Sequence, residues 1–166
     1  QDAGLVPIVE PEVLMDGDHT LEQCEEATGE ALRAVFEALK TQRAALEGLL
    51  LKTGMVLSGA KCPTQAGHGA VAEATLRCLR RHVPAAVPGI VFLSGGQDDR
   101  SATERLAAIC AGAEGRAPWT ISFSFGRALQ TPALHAWHGN AAHIGAAQAA
   151  LLECARRNGQ ALRSGG

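Results

Sequence analysis

Four short apolar runs, Leu5 to Val9, Leu46 to Leu51, Gly89 to Leu93 and Trp119 to Phe123, recur at intervals of about 30 to 45 residues. Between them lie segments whose apolar residues fall at helical spacing. This alternation is the pattern of βα units built around a parallel sheet. After the first run, Asp16-Gly17-Asp18 provides a cap at Asp18. Leu21, Cys24, Ala27, Ala31, Ala34, Val35, Ala38 and Leu39 then mark a helix to about Lys40. A second helix is expected near Ala70 to His82, ending before Pro84, with Arg77, Arg80 and Arg81 on a solvated face. A third fits Ser101 to Cys110 with Gly112 as its stop, a short one Pro132 to Trp137, and a last one Asn140 to Arg157, ended by Asn158-Gly159.

Periodicity alone does not choose between a doubly wound sheet and a closed barrel, because both are made of right-handed βαβ crossovers. The placement of polar residues favours the barrel. Glu10 and Glu12, Lys52, Ser94, and Ser124 with Arg127 each stand at the carboxyl end of a run. In a barrel those ends converge on one mouth.

With 166 residues, 46% hydrophobic and 19% charged, the chain has the makings of one folded domain. A net charge of -2 offers no basic stripe for a phosphodiester backbone, so nucleic acid is a poor partner. No run of about 18 apolar residues argues for a membrane span, and the amino terminus lacks the order of a signal peptide. The five cysteines, Cys24, Cys62, Cys78, Cys110 and Cys154, are scattered without a C-x-x-C pair. They read as buried small hydrophobes in a reducing cytoplasm, not as disulfides or metal ligands. His135 and His138 lack a third partner of metal-ligand spacing and are expected on the surface; no metal and no cofactor is implied.

Lys52 ends the run L-E-G-L-L-L-K and is one of only three lysines. Strand alternation puts Lys52, Leu50 and Gly48 on one face while Leu49 and Leu51 turn toward the helices. Burial disfavours an ammonium, and a lysine so perturbed is an amine nucleophile able to form a Schiff base with a ketone. A strand-end lysine can equally reach solvent by snorkelling. In V-P-I-V-E-P-E, Glu10 and Glu12 are two apart and share one face of an extended segment stiffened by Pro11. Two carboxylates beside a lysine can divide the work of acid and base, because like charges push their pKa values apart. A solvated acidic loop is the plainer alternative.

Two glycine-bearing turns follow the third and fourth runs: L-S-G-G-Q at 93–97 and S-F-G-R at 124–127. Glycine lets backbone N–H groups approach an anion, and Ser94, Gly95, Gly126 and Arg127 make a candidate phosphate site. Read plainly, both are tight turns. L-S-G-G-Q also spells the signature of ABC-transporter ATPases, but the required G-x-x-x-x-G-K-[ST] loop is missing, since Leu51 occupies its second glycine position before Lys52-Thr53.

Five blocks taken in order resemble the class I fructose-bisphosphate aldolases: G-L-V-P-I-V-E-P-E-V-L (4 to 14) followed by D-G-D-H, L-E-G-L-L-L-K (46 to 52), V-P-A-A-V-P-G-I-V-F-L-S-G-G-Q (83 to 97), P-W-T-I-S-F-S-F-G-R-A-L-Q (118 to 130) and A-L-H-A-W-H-G (133 to 139). The wording of S-F-S-F-G-R and of the helices is similar to bacterial members. The resemblance implies a (β/α)8 TIM barrel of which this chain holds strands five to eight, the carboxyl-terminal half of one barrel domain. It implies reversible cleavage of fructose 1,6-bisphosphate to dihydroxyacetone phosphate and glyceraldehyde 3-phosphate in cytoplasmic glycolysis. Lys52 would form the Schiff base, Glu10 would transfer protons and Glu12 would support dehydration. Ser94, Gly95, Gly126 and Arg127 would hold a substrate phosphate.

Three departures qualify that resemblance. Thr53-Gly54-Met55-Val56 stands where the family usually has Pro-Asn-Met-Val, a change expected to loosen the loop after Lys52. The family's tyrosine-ended tail has no counterpart, since the chain ends Arg163-Ser164-Gly165-Gly166 and contains no tyrosine. The chain opens almost directly on its first strand without an initiator methionine, as expected of a piece of a longer product. Half a barrel leaves two strand edges and an inner wall uncovered, so the expected partners are sugar phosphates, a complementary amino-terminal half, or copies of itself as a homo-oligomer in the full-length form. The competing expectation is a non-catalytic half barrel serving as scaffold.

Overall fold

A computed structural model describes residues 1–163. Ser164, Gly165 and Gly166, where the family's tail would begin, lie outside the described residues. Four parallel strands form one sheet: β1 (Ile8–Val9), β2 (Leu50–Thr53), β3 (Gly89–Phe92) and β4 (Thr120–Phe123). The helices are α1 (Leu21–Thr41), α2 (His68–His82), α3 (Asp99–Ala113), α4 (Arg127–Trp137) and α5 (Ile144–Ala161). Spatial order equals chain order, β1-β2-β3-β4, with no reversal point. Successive right-handed crossovers without a reversal send every helix to the same face, unlike a doubly wound sheet.

The sheet's two faces differ accordingly. Leu51, Thr53, Ile90 and Phe92 are buried under the helices. Leu50, Lys52, Val91 and Ser122 point the other way and are only half buried. Ile8 on that same face is 56% exposed. The register aligns Lys52 with Val91 and Val91 with Ser122, so one row of side chains crosses the open face beside Lys52. Helical neighbours pack α1 on α2, α2 on α3, and α3 on α5.

Several boundaries differ from the sequence reading, each for a local reason. Leu46–Gly48 forms a 3-10 turn, so the second strand begins at Leu50 and Gly48 is not on the strand with Lys52. The Gln1 side chain pins that turn, donating to Ala45 O at 2.8 Å and accepting from Ala45 N at 3.0 Å. The first strand shrinks to Ile8 and Val9, the two residues that pair with β2, and Leu5 and Val6 are exposed. Thr20, not Asp18, caps α1, through a reciprocal capping box with Gln23.

Gly112 does not stop α3. It lies inside the helix, where a Cβ would come within 2.8 Å of Leu76 Cδ1, so glycine is what lets α3 approach α2; the turn falls at Gly115, with φ 61°. Nor does Asn158-Gly159 end α5. Asn158 is buried, donates to Cys154 O at 2.9 Å and accepts from Thr103 Oγ1 at 3.0 Å, which satisfies a polar side chain inside the helix and locks α5 to α3. Asn158→Ala is expected to lower unfolding free energy by about 1 to 3 kcal/mol in urea titrations, since it empties a buried hydrogen-bonded position.

The arginines of α2 are not merely a solvated face. Arg77 donates through Nε to Glu25 Oε1 at 2.8 Å, bridging α2 to α1, and Arg80 donates to Gly112 O at 3.3 Å, bridging α2 to α3. The Arg77 hydrogen bond holds the Glu25 carboxyl below its ordinary range, with Arg81 adding attraction. A depressed folded-state value means that the stabilisation is present above the unfolded carboxyl pKa of about 4.3 and fades as pH falls through the folded value. Glu25→Gln is therefore expected to be less stable than the parent near neutral pH, with the two urea midpoints converging as pH falls through the lowered Glu25 value.

Candidate active site at the carboxyl ends of the strands

All four strands point their carboxyl ends at one edge of the open face, and the candidate residues gather there. Lys52 is the third residue of β2 and its side chain is 22% exposed. Its Nζ lies 2.8 Å from Glu10 Oε1, just past β1. Pro11 and Val13 line a small cleft with Leu32, Thr53 and Met55. That anchoring turns Glu10 and Glu12 outward, and both are exposed at the mouth. Glu12 reaches past β2 to the loop after β3, since a Cβ on Gly95 would sit 3.9 Å from Glu12 Oε1.

The Ser94–Gln97 segment forms a tight turn closed by Gln97 N donating to Ser94 O at 3.0 Å. Gly95 and Gly96 have φ of 58° and 92°, a region in which glycine is far less strained than other residues. A Cβ on Gly96 would lie 3.7 Å from both terminal nitrogens of Arg127, so that guanidinium hangs over the glycine turn. Ser94, Gly95, Gly126 and Arg127 thus come from two consecutive loops to one place. Ser94 itself is buried, 4% exposed, beneath the turn.

Arg127 is also the first residue of α4, with Gly126 at the cap position. The sequence reading began that helix at Pro132. Pro132 is instead inside α4, where its missing N–H leaves a carbonyl one turn back without its helical donor. The earlier start matters chemically, because the positive end of an eleven-residue helix now opens at S-F-G-R.

The loop following Lys52 is held firmly despite its departure from the family wording. Met55 and Val56 are buried, Val56 N donates to Thr75 Oγ1 at 3.0 Å, and Leu57 N donates to Cys24 Sγ at 3.3 Å. The expected loosening is not what the geometry shows. Four cysteines are buried and Cys110 is half buried. Burial pushes the Cys78 and Cys110 thiols up to about 11, leaving little reactive thiolate. His135 and His138 are exposed. A groove of about 630 Å³ lined by Phe36, Lys40, Arg43 and Pro84 lies at the opposite ends of the strands, away from Lys52. No described helix is long and apolar enough to cross a membrane.

Two residues have a place in this arrangement that was not assigned to them from the sequence, Gln97 although it closes the L-S-G-G-Q turn and Arg105 with no motif of its own. Gln97 is 6% exposed and touches Met55, and Arg105 of α3 reaches it from behind. Arg105 falls on the half-buried side of its helix, where a surface arginine is the ordinary reading.

A family model described as "Glycolytic: Fructose-bisphosphate aldolase class-I" matches residues 1–165. The chain belongs to the class I fructose-bisphosphate aldolase family. Among its relatives, a probable class 1 fructose-bisphosphate aldolase of Xanthomonas campestris pv. campestris is 49% identical over 162 residues, which are 97% of this chain and 48% of that protein. A cytoplasmic isozyme from Pisum sativum is 50% identical over 161 residues, 97% of this chain and 44% of the relative. The structure is similar to fructose-bisphosphate aldolase from Plasmodium falciparum, solved in complex with TRAP and a small molecule inhibitor: the TM-score is 0.92 at 44% identity, covering 96% of this chain and 46% of that one. The chain therefore spans about half the length of the aldolases it matches.

Proposed function

We propose that this chain is the carboxyl-terminal half of a (β/α)8 barrel, strands five to eight, and carries the Schiff-base machinery of a fructose-bisphosphate aldolase. The observation that carries the reading is the Lys52–Glu10 contact at 2.8 Å on the open face of a singly wound parallel sheet. An ammonium must lose a proton before its nitrogen can attack a ketone, and Glu10 is the acceptor within reach. The neutral Lys52 nitrogen adds to the C2 carbonyl of the sugar phosphate. A protonated carboxyl, with Glu12 assisting, returns a proton to the departing hydroxyl so that water leaves and an iminium forms. The iminium draws electrons from the C3–C4 bond, which breaks as the C4 hydroxyl gives up its proton. Glyceraldehyde 3-phosphate departs, and the enamine is protonated and hydrolysed to dihydroxyacetone phosphate. Arg127, with backbone N–H groups of Gly95 and Gly126 and the Ser94 hydroxyl, would hold one phosphate as the fixed point of this sequence.

The same reading gives the uncovered face a role. Ile8 on the inner side, together with Leu5, Val6 and Leu14 near the first edge, is exposed, and a complementary amino-terminal half would cover that wall by closing the barrel. Cytoplasmic glycolysis is the setting that suits these substrates, and homo-oligomers of the closed barrel are the expected assembly. Borohydride reduction with dihydroxyacetone phosphate, followed by peptide mapping, tests the proposal. An adduct on Lys52 supports it; a folded chain that forms none favours the scaffold alternative.

A further inference from the structure

Behind the glycine turn lies a buried relay that the proposed chemistry does not use directly. Gln97 Nε2 donates to Ser94 O at 3.0 Å and approaches Met55 Sδ at 3.7 Å, while its Oε1 accepts from Arg105 Nη1 at 2.7 Å. The arginine thereby fixes which end of the amide faces the turn, because only the oxygen can receive its N–H. Ser94 O is then held by two donors, Gln97 N across the turn and the buried Gln97 Nε2. A trans peptide is planar and carries its C=O and N–H on opposite edges. With the Ser94 carbonyl held against Gln97, the Gly95 N–H is directed away from it, in a turn whose glycines lie near Glu12 and the Arg127 guanidinium. If that peptide turned over, a carbonyl oxygen would face an arriving anion in place of a donor.

Arg105 is poorly solvated for this task. Its Nε is buried without a partner among the described residues, and burial lowers its pKa. A half-buried, incompletely satisfied cation on a helix that could carry a methionine instead is costly unless its position matters.

Resting on the phosphate-site reading above, we infer that Arg105 is a positioning residue: acting through Gln97, it holds the Ser94–Gly95 peptide in the orientation that offers the Gly95 N–H to a substrate phosphate. The test titrates inorganic phosphate into the ¹⁵N-labelled chain and follows amide hydrogen exchange, comparing the parent with Arg105→Met and Arg105→Lys. In Arg105→Met, phosphate is expected to bind about tenfold more weakly, the scale of one well-aligned donor to an anion. Exchange of the Gln97 amide, the hydrogen-bonded N–H of the turn, is expected to quicken several-fold, while the amides of α3 keep their protection. Arg105→Lys, which retains a donor for Gln97 Oε1, is expected to recover part of both effects. Unchanged loop exchange and phosphate affinity in Arg105→Met would overturn the inference, as would a uniform loss of protection through α3, the mark of a merely structural role. If the parent binds no phosphate, the phosphate-site reading fails, and the exchange comparison still decides whether Arg105 holds the turn.

Discussion

Lys52→Arg is expected to remove borohydride-trapped adduct with dihydroxyacetone phosphate, lowering its yield at least about 100-fold. Ordinary reference values alone give that scale: a guanidinium holds its proton some two or more pKa units more tightly than an amine, so its neutral, attacking form is that much rarer. Resonance makes the residual nucleophile poorer still. The substitution is a clean one because arginine can keep a charge-assisted contact with Glu10, which lies 2.8 Å from Nζ, and therefore need not disturb the mouth. Circular dichroism should be unchanged while mass mapping finds no modified peptide. Retained trapping in Lys52→Arg would mean that another amine carries the adduct, with Lys40 and Lys61 as the remaining lysines to test.

The βα alternation was legible because the strands are apolar and the intervening helices keep strict periodicity; α1 and α2 fall within a few residues of their expected spans. The converging strand ends were legible too, since polar residues after apolar runs have a geometric meaning in a parallel sheet. Errors clustered where a local signal was overridden by packing. Gly112 and Asn158 have the composition of helix stops, yet each sits inside a helix because a neighbour needs it there, Leu76 for close approach and Thr103 for a hydrogen bond. Pro132 looked like a start and is an interior proline.

The deeper layer of the site was not legible. Arg105 is eight residues from Gln97, joined to it only by the turn and the first half of α3. A sequence shows an arginine on a helix; it does not show which amide the guanidinium fixes. Likewise, Thr53-Gly54 reads as a loosened loop, whereas anchors from Thr75 and Cys24, about 20 and 30 residues away, hold the following segment. Long-range hydrogen bonds of this kind carry no period and no spacing.

The carboxylates offer the sharper test of how the chemistry is divided. Glu10→Gln keeps the size of the side chain and an oxygen that can accept from Lys52, but it can no longer take up or return a proton. Trapping is expected to slow by about 10² to 10³-fold, the usual weight of one positioned acid–base group, with Lys52 still the modified residue. Glu12→Gln should cost less, because it is Glu10 that contacts the Lys52 nitrogen, whereas Glu12 Oε1 faces the glycine turn at Gly95. A small carboxylate such as formate, added to Glu10→Gln, should restore part of the rate, since the substitution removes a proton carrier while leaving the nucleophile in place. Glu10→Gln and Glu12→Gln losing rate equally, or formate restoring only Glu12→Gln, would reassign proton transfer from the residue beside the lysine to the one beside the glycine turn.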